Sequence, residues 1–124
     1  MKKTAIVKKE RMETIDASGK TLGRVASVAA TALMGKDKPT FLKNAVTGAK
    51  VHIVNASKMK IDPRKMTVNV HTRYSGYPGG QKQETLAKVA KSKGYGEIFR
   101  HAVKGMIPNN KLRPIIMKRL TISE

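Results

Sequence analysis

The chain has 124 residues, no cysteine, and 26 Lys and Arg against eight Asp and Glu, for a formal net charge of +18. That composition excludes disulfides and thiolate metal sites, and no apolar run approaches the ~20 residues of a membrane span. So much positive charge opposes compaction by self-repulsion and implies a polyanionic partner, usually nucleic acid, whose neutralised phosphates release counterions.

The length suits one domain spanning residues 1–124. The first eleven or so residues, with Lys2, Lys3, Lys8, Lys9 and Arg11, read as a basic arm without the apolar core of a signal peptide. Met12 to Ile15 reads as a short strand, and Asp16-Ala-Ser-Gly19 as a turn. From Thr21, the spacing of Leu22, Val25, Ala26, Ala29, Ala32 and Leu33 predicts a helix closed by Gly35. Lys36 to Lys50 reads as a basic loop. Val51-His-Ile-Val54 has the near-continuous apolar character of a buried strand.

Met66, Val68 and Val70 alternate with polar residues, which predicts another strand. Ser75-Gly-Tyr-Pro-Gly-Gly80 is a loop by its turn chemistry. Leu86, Val89 and Ala90 suggest a short helix broken by Gly94 and Gly96. Ile98, Phe99, Ala102, Val103, Met106 and Ile107 form the clearest amphipathic stripe, ending between Gly105 and Pro108. A last helix, starting near Arg113 or Pro114, carries Leu112, Ile115, Ile116 and Leu120, and Leu120 to Ile122 can begin a strand. Strands alternating with helices indicate an α/β domain with a mainly parallel sheet.

Gly19-Lys20-Thr21 invites a phosphate-loop reading, but that motif needs a glycine where Thr14 stands. A turn with a surface lysine is the better account. His52, His71 and His101 do not pair at metal-site spacing, so no metal is expected. His52 reads as a strand residue with a satisfied hydrogen bond. The carboxylates are scattered, without an acid/base pair. No cofactor, small-molecule substrate or enzymatic activity is expected, and the low aromatic content with no Trp argues against a membrane surface.

His71 to Lys82 differs from these segments. Gly76, Gly79 and Gly80 allow close backbone approach; Arg73 and Lys82 suit phosphates, and Tyr74 and Tyr77 suit unpaired bases. An ordinary mobile loop is the competing account.

This loop, together with Asp16-Ala-Ser-Gly-Lys-Thr-Leu-Gly-Arg24 and Val103-Lys-Gly-Met-Ile-Pro108 followed by Asn-Asn-Lys-Leu112, closely resembles the bacterial branch of the family of large ribosomal subunit protein thirteen. The resemblance runs from about Ile15 to Leu120. It departs where the family has an aromatic pair near Met12 and Glu13, and Gly-Arg in place of Arg113-Pro114. It implies a three-layer α/β/α fold around a small parallel sheet. It also implies a structural role on large-subunit (23S-type) rRNA beside neighbouring ribosomal proteins, with early action in subunit assembly. The place implied is a cytoplasmic ribosome, an organellar one being left open.

On this reading, the RNA-binding residues are Arg73, Tyr74 and Lys82 in the glycine loop, and Arg100, His101 and Lys104 on the amphipathic helix. Lys111, Arg113, Lys118 and Arg119 follow beyond it, and Lys36 and Lys38 lie in the first basic loop. Gly76, Gly79 and Gly80 shape the glycine loop. Lys118 and Arg119 flank an apolar stripe and are expected to reach outward. The alternatives are a free regulatory protein acting on mRNA and a nucleotide-hydrolysing enzyme built on Gly19-Lys20-Thr21.

Overall fold

A computed structural model describes residues 11–124; the basic arm expected at the N-terminus lies almost wholly outside them. Strand β1 (Met12–Asp16) leads through a turn into helix α1 (Leu22–Met34). Thr21 caps the helix with extended backbone, and Gly35 ends it at φ 78°, in the left-handed region where glycine carries no Cβ penalty. A long connection returns the chain to β2 (Lys50–Val54), parallel to β1. After a single 3-10 turn come α2 (Pro63–Val68) and the antiparallel hairpin β3 (Val70–Tyr74) and β4 (Gln81–Thr85). Helices α3 (Leu86–Lys93), α4 (Tyr95–Met106) and α5 (Arg113–Met117) precede β5 (Leu120–Ile122).

The main sheet has the order β1-β2-β5 and is parallel throughout, so the mixed α/β class with a small parallel sheet agrees with the sequence. Paired residues in adjacent strands share a face. Val51, Ile53 and Leu120 on one face are buried against the apolar sides of α1 and α4, with Val25, Ala29, Leu33, Ile98, Phe99 and Val103 filling the core. Five alanines of α1 or its flank are buried there (Ala17, Ala26, Ala29, Ala30 and Ala32), which lets α1 lie close to its neighbours. On the other face Met12, Thr14 and Thr121 are exposed, and His52 is half-buried with its Nε2 3.0 Å from the Ser123 hydroxyl, as the sequence predicted.

Three expectations are corrected. The strand predicted over Met66 to Val70 is mostly α2. Asp62 accepts the Arg64 N–H at 3.0 Å, and Pro63 supplies the fixed φ that suits a first helical residue. The alternating pattern misled because Met66 packs on the core while Val68 is exposed; only Val70 belongs to a strand. Gly96 does not break a helix. Gly94, at φ 84°, separates α3 from α4, and Gly96 lies in the first turn of α4. Leu120 is not on the last helix, which ends at Met117; it begins β5. The start of that helix at Arg113, with Pro114 beside it, is as expected.

Candidate nucleic-acid interface

Among the described residues every carboxylate except Asp37 has a turn, cap or ion-pair partner. Asp16 accepts from the Ser18 N–H at 2.9 Å and the Asn55 amide at 3.1 Å. These bonds, Ser18 first, hold its carboxyl below the ordinary range. Asp62 caps α2, and Glu124 accepts the Tyr95 N–H at 2.7 Å where α4 begins. Glu13 pairs with Arg11 at 3.0 Å, Glu97 with Arg100 at 3.4 Å, and Glu84 lies 3.7 Å from Arg73 and 3.9 Å from Lys93. Lys36, Lys38, Lys82, Lys104, Lys111, Arg113 and Lys118 therefore have no carboxylate partner among the described residues.

The segment expected to be a glycine loop is the tip and flanks of the β3–β4 hairpin. Only 75–80 is loop, closed by the Gly80 N–H donating to the Tyr77 carbonyl at 2.9 Å. Gly76 and Gly79 sit at φ 89° and 73°, conformations that admit glycine readily. A Cβ on Gly80 would collide with the Ser75 hydroxyl.

Register sorts the hairpin side chains. Arg73 pairs with Lys82 and His71 with Glu84, so these four share one face. That face meets α4: the imidazoles of His71 and His101 stack at 3.9 Å between ring centres. Arg100, His101 and Lys104 follow helical spacing on the exposed side of α4. Arg73 and Lys82 thus share a face with His71, which stacks on His101, and Arg100 and Lys104 continue the exposed side of α4 from there; His71, like His101, is a residue the sequence offers as an alternative RNA contact. Tyr74 pairs with Gln81 on the opposite hairpin face, so it stands apart from Arg73; it and Tyr77 are exposed.

Lys111, Arg113 and Lys118 lie on the connector and α5, with Lys111 and Lys118 exposed. Arg119 departs from expectation. It is half-buried, and its guanidinium donates to the Gly48 carbonyl at 2.6 Å, tying the last turn to the segment entering β2. Lys36 and Lys38 sit in the turns after α1, away from the hairpin in sequence. In the Gly19-Lys20-Thr21 turn, the Gly19 N–H donates to the Lys58 carbonyl and the Lys20 N–H to that of Ala17, so neither is free to cradle a phosphate. No group of three or more His, Asp or Glu able to hold a metal occurs among the described residues.

The stacked histidines make stability pH-dependent. Burial, then the charge of His101, pushes the His71 pKa below its ordinary value, against the opposing pull of Glu97 and Glu84. A depressed folded pKa means the unfolded chain binds more protons, so stability rises with pH. This contribution is complete above about pH 6.5, the unfolded value, and is lost as pH falls through the lower folded value. Urea unfolding between about pH 5 and 8 should show this dependence weakened in His71→Gln; an identical profile in the variant would remove His71 from the account.

The family described as Ribosomal protein L13 matches residues 10–124. A protein of Dehalococcoides mccartyi named large ribosomal subunit protein uL13 is 44% identical over 116 residues, covering 94% of this chain and 80% of its own. Proteins of the same name from Thermus thermophilus and Geobacter are 43% identical (90% of this chain, 79% of the relative) and 42% identical (97% and 87%). With a basic surface joining hairpin to helix, and a family match over nearly its whole length, the chain belongs to the ribosomal protein L13 family.

Proposed function

We propose that this chain is a non-catalytic structural constituent of the large ribosomal subunit, bound to 23S-type rRNA and to neighbouring large-subunit proteins in the cytoplasmic ribosome. The observation that carries this reading is the division of charge. Among the described residues every Asp and Glu but Asp37 is engaged in a turn, a cap or an ion pair, while exposed lysines of the hairpin, α4 and the end of α5 have no carboxylate partner.

The α/β core fixes where those charges stand. Phosphate contacts then set the register of the RNA, and shape and unpaired elements supply selectivity. Arg73, Lys82, Arg100, His101 and Lys104 form the main contact surface, with Lys111, Arg113 and Lys118 extending it and Lys36 and Lys38 a second contact. Tyr74 and Tyr77 offer ring faces to unpaired bases on the other side of the hairpin. The family resemblance further suggests action early in subunit assembly.

The test is sedimentation of tagged protein from cells. Recovery with the large subunit after a high-salt wash is the expected result. Recovery only in the ribosome-free fraction would overturn the assignment.

A further inference from the structure

A concave groove of about 830 Å3 adjoins the foot of the hairpin surface, between the start of α1, the strand-like segment at Lys60, α2 and the base of the hairpin. The Lys60 N–H donates to the Lys20 carbonyl at 2.9 Å, and Thr21 and Lys60 form a parallel bridge, so one wall is fixed by backbone pairing. Leu86 is buried, and Leu22 and Ile61 are half-buried, giving the groove an apolar lining. Arg24, Lys60 and Lys65 are exposed around it and have no ion-pair partner among the described residues. Asp62, the one carboxylate lining it, is committed to the cap of α2. Asn69 adds a side-chain amide, a donor and acceptor on one group.

We infer that this groove takes an unpaired nucleotide segment of the rRNA, a contact that rests on the proposed ribosomal function. The volume is within the range of small-ligand pockets, about 300–1,000 Å3, and a concavity of that size admits single nucleotides rather than the edge of a duplex. The cations meet the flanking phosphates, the apolar lining takes ribose and base, and Asn69 faces the base edge. Unpaired nucleotides are the elements of RNA whose base edges a protein can reach. The groove contains no aromatic ring among its lining residues, so it selects by enclosure and hydrogen bonding rather than by stacking.

The experiment is base-specific chemical footprinting of purified large-subunit rRNA with the full chain and with Arg24→Gln/Lys60→Gln/Lys65→Gln. Circular dichroism checks the fold, and the single Lys60→Gln and Lys65→Gln variants repeat the test if the triple variant is unfolded. The wild type is expected to protect a short unpaired stretch that the variant leaves reactive, with the rest of the footprint unchanged. The slope of log affinity against log salt should fall by about two units, at about 0.7 per single-strand phosphate. An unchanged footprint, or one that loses protection only within paired helices, overturns the groove while leaving the ribosomal assignment standing. A wild type that protects nothing overturns both.

Discussion

Gly48→Ala is expected to destabilise the chain by about 3 kcal/mol, the upper end of the usual range for overpacking. A Cβ at Gly48 would fall inside the Leu33 carbonyl group and 2.8 Å from the Ala32 carbonyl oxygen. Both are backbone atoms in the last turn of α1, so no side chain can swing aside. Nor can the segment entering β2 retreat freely. The Ala49 N–H donates to the Ala32 carbonyl at 3.1 Å, and Arg119 holds the Gly48 carbonyl from the other direction. Gly105→Ala is the matched control. It lies in α4, a Cβ there meets nothing within 4 Å, and alanine in a helix is favoured by about 0.5–1 kcal/mol over glycine. Urea unfolding of the two variants should move in opposite directions. A loss below about 1 kcal/mol for Gly48→Ala would mean that the end of α1 relaxes around the new methyl group.

Arg73→Gln/Lys82→Gln/Lys104→Gln should weaken binding to large-subunit rRNA while leaving the fold intact. All three side chains are exposed; the hairpin register puts Arg73 and Lys82 on the face that meets α4 at the His71–His101 stack, and Lys104 follows His101 by three residues along α4. If each meets a phosphate, the salt slope falls by about two to three units. Arg73 contributes least, because Glu84 already lies 3.7 Å away. Filter binding at several salt concentrations measures the slope. No change in a folded variant would move the RNA surface to α5 and the turns after α1. Arg119 is left out of this set because Arg119→Gln would remove a bond the fold uses.

The sequence revealed most where local signals agreed with burial. The stripe of α4, the alanine-rich face of α1 closed by Gly35, and the buried Val51 and Ile53 each announced an element through periodicity that the core then enforced. The hairpin was harder to read. Gln81-Lys-Gln-Glu-Thr85 is polar on both faces, and β3 is largely exposed, so no apolar alternation marked either strand. Only the turn chemistry showed. The helix α2 was signalled by Asp62-Pro63, but a chance alternation of Met66, Val68 and Val70 masked it.

The basic surface was legible as a set of residue types and not as an arrangement. Nothing local states that His71 lies against His101, or that Arg119 turns toward Gly48; both depend on how distant segments meet. The groove at Lys60 is of the same kind. Its cations come from α1, a loop and α2, and no single stretch of sequence displays them together.

The order β1-β2-β5 also sets a timetable for synthesis. β1, α1 and β2 lie within the first 54 residues and can associate as soon as they emerge, whereas β2 gains its second neighbour only with Leu120–Ile122. During translation, at about 5–20 residues per second, one edge of β2 stays without a partner for several seconds. Phe99 and its neighbours on α4 arrive in the same late interval. The nascent chain therefore carries its positive charge before its sheet is complete, and an RNA that engages the early segments would meet a protein still finishing its own fold.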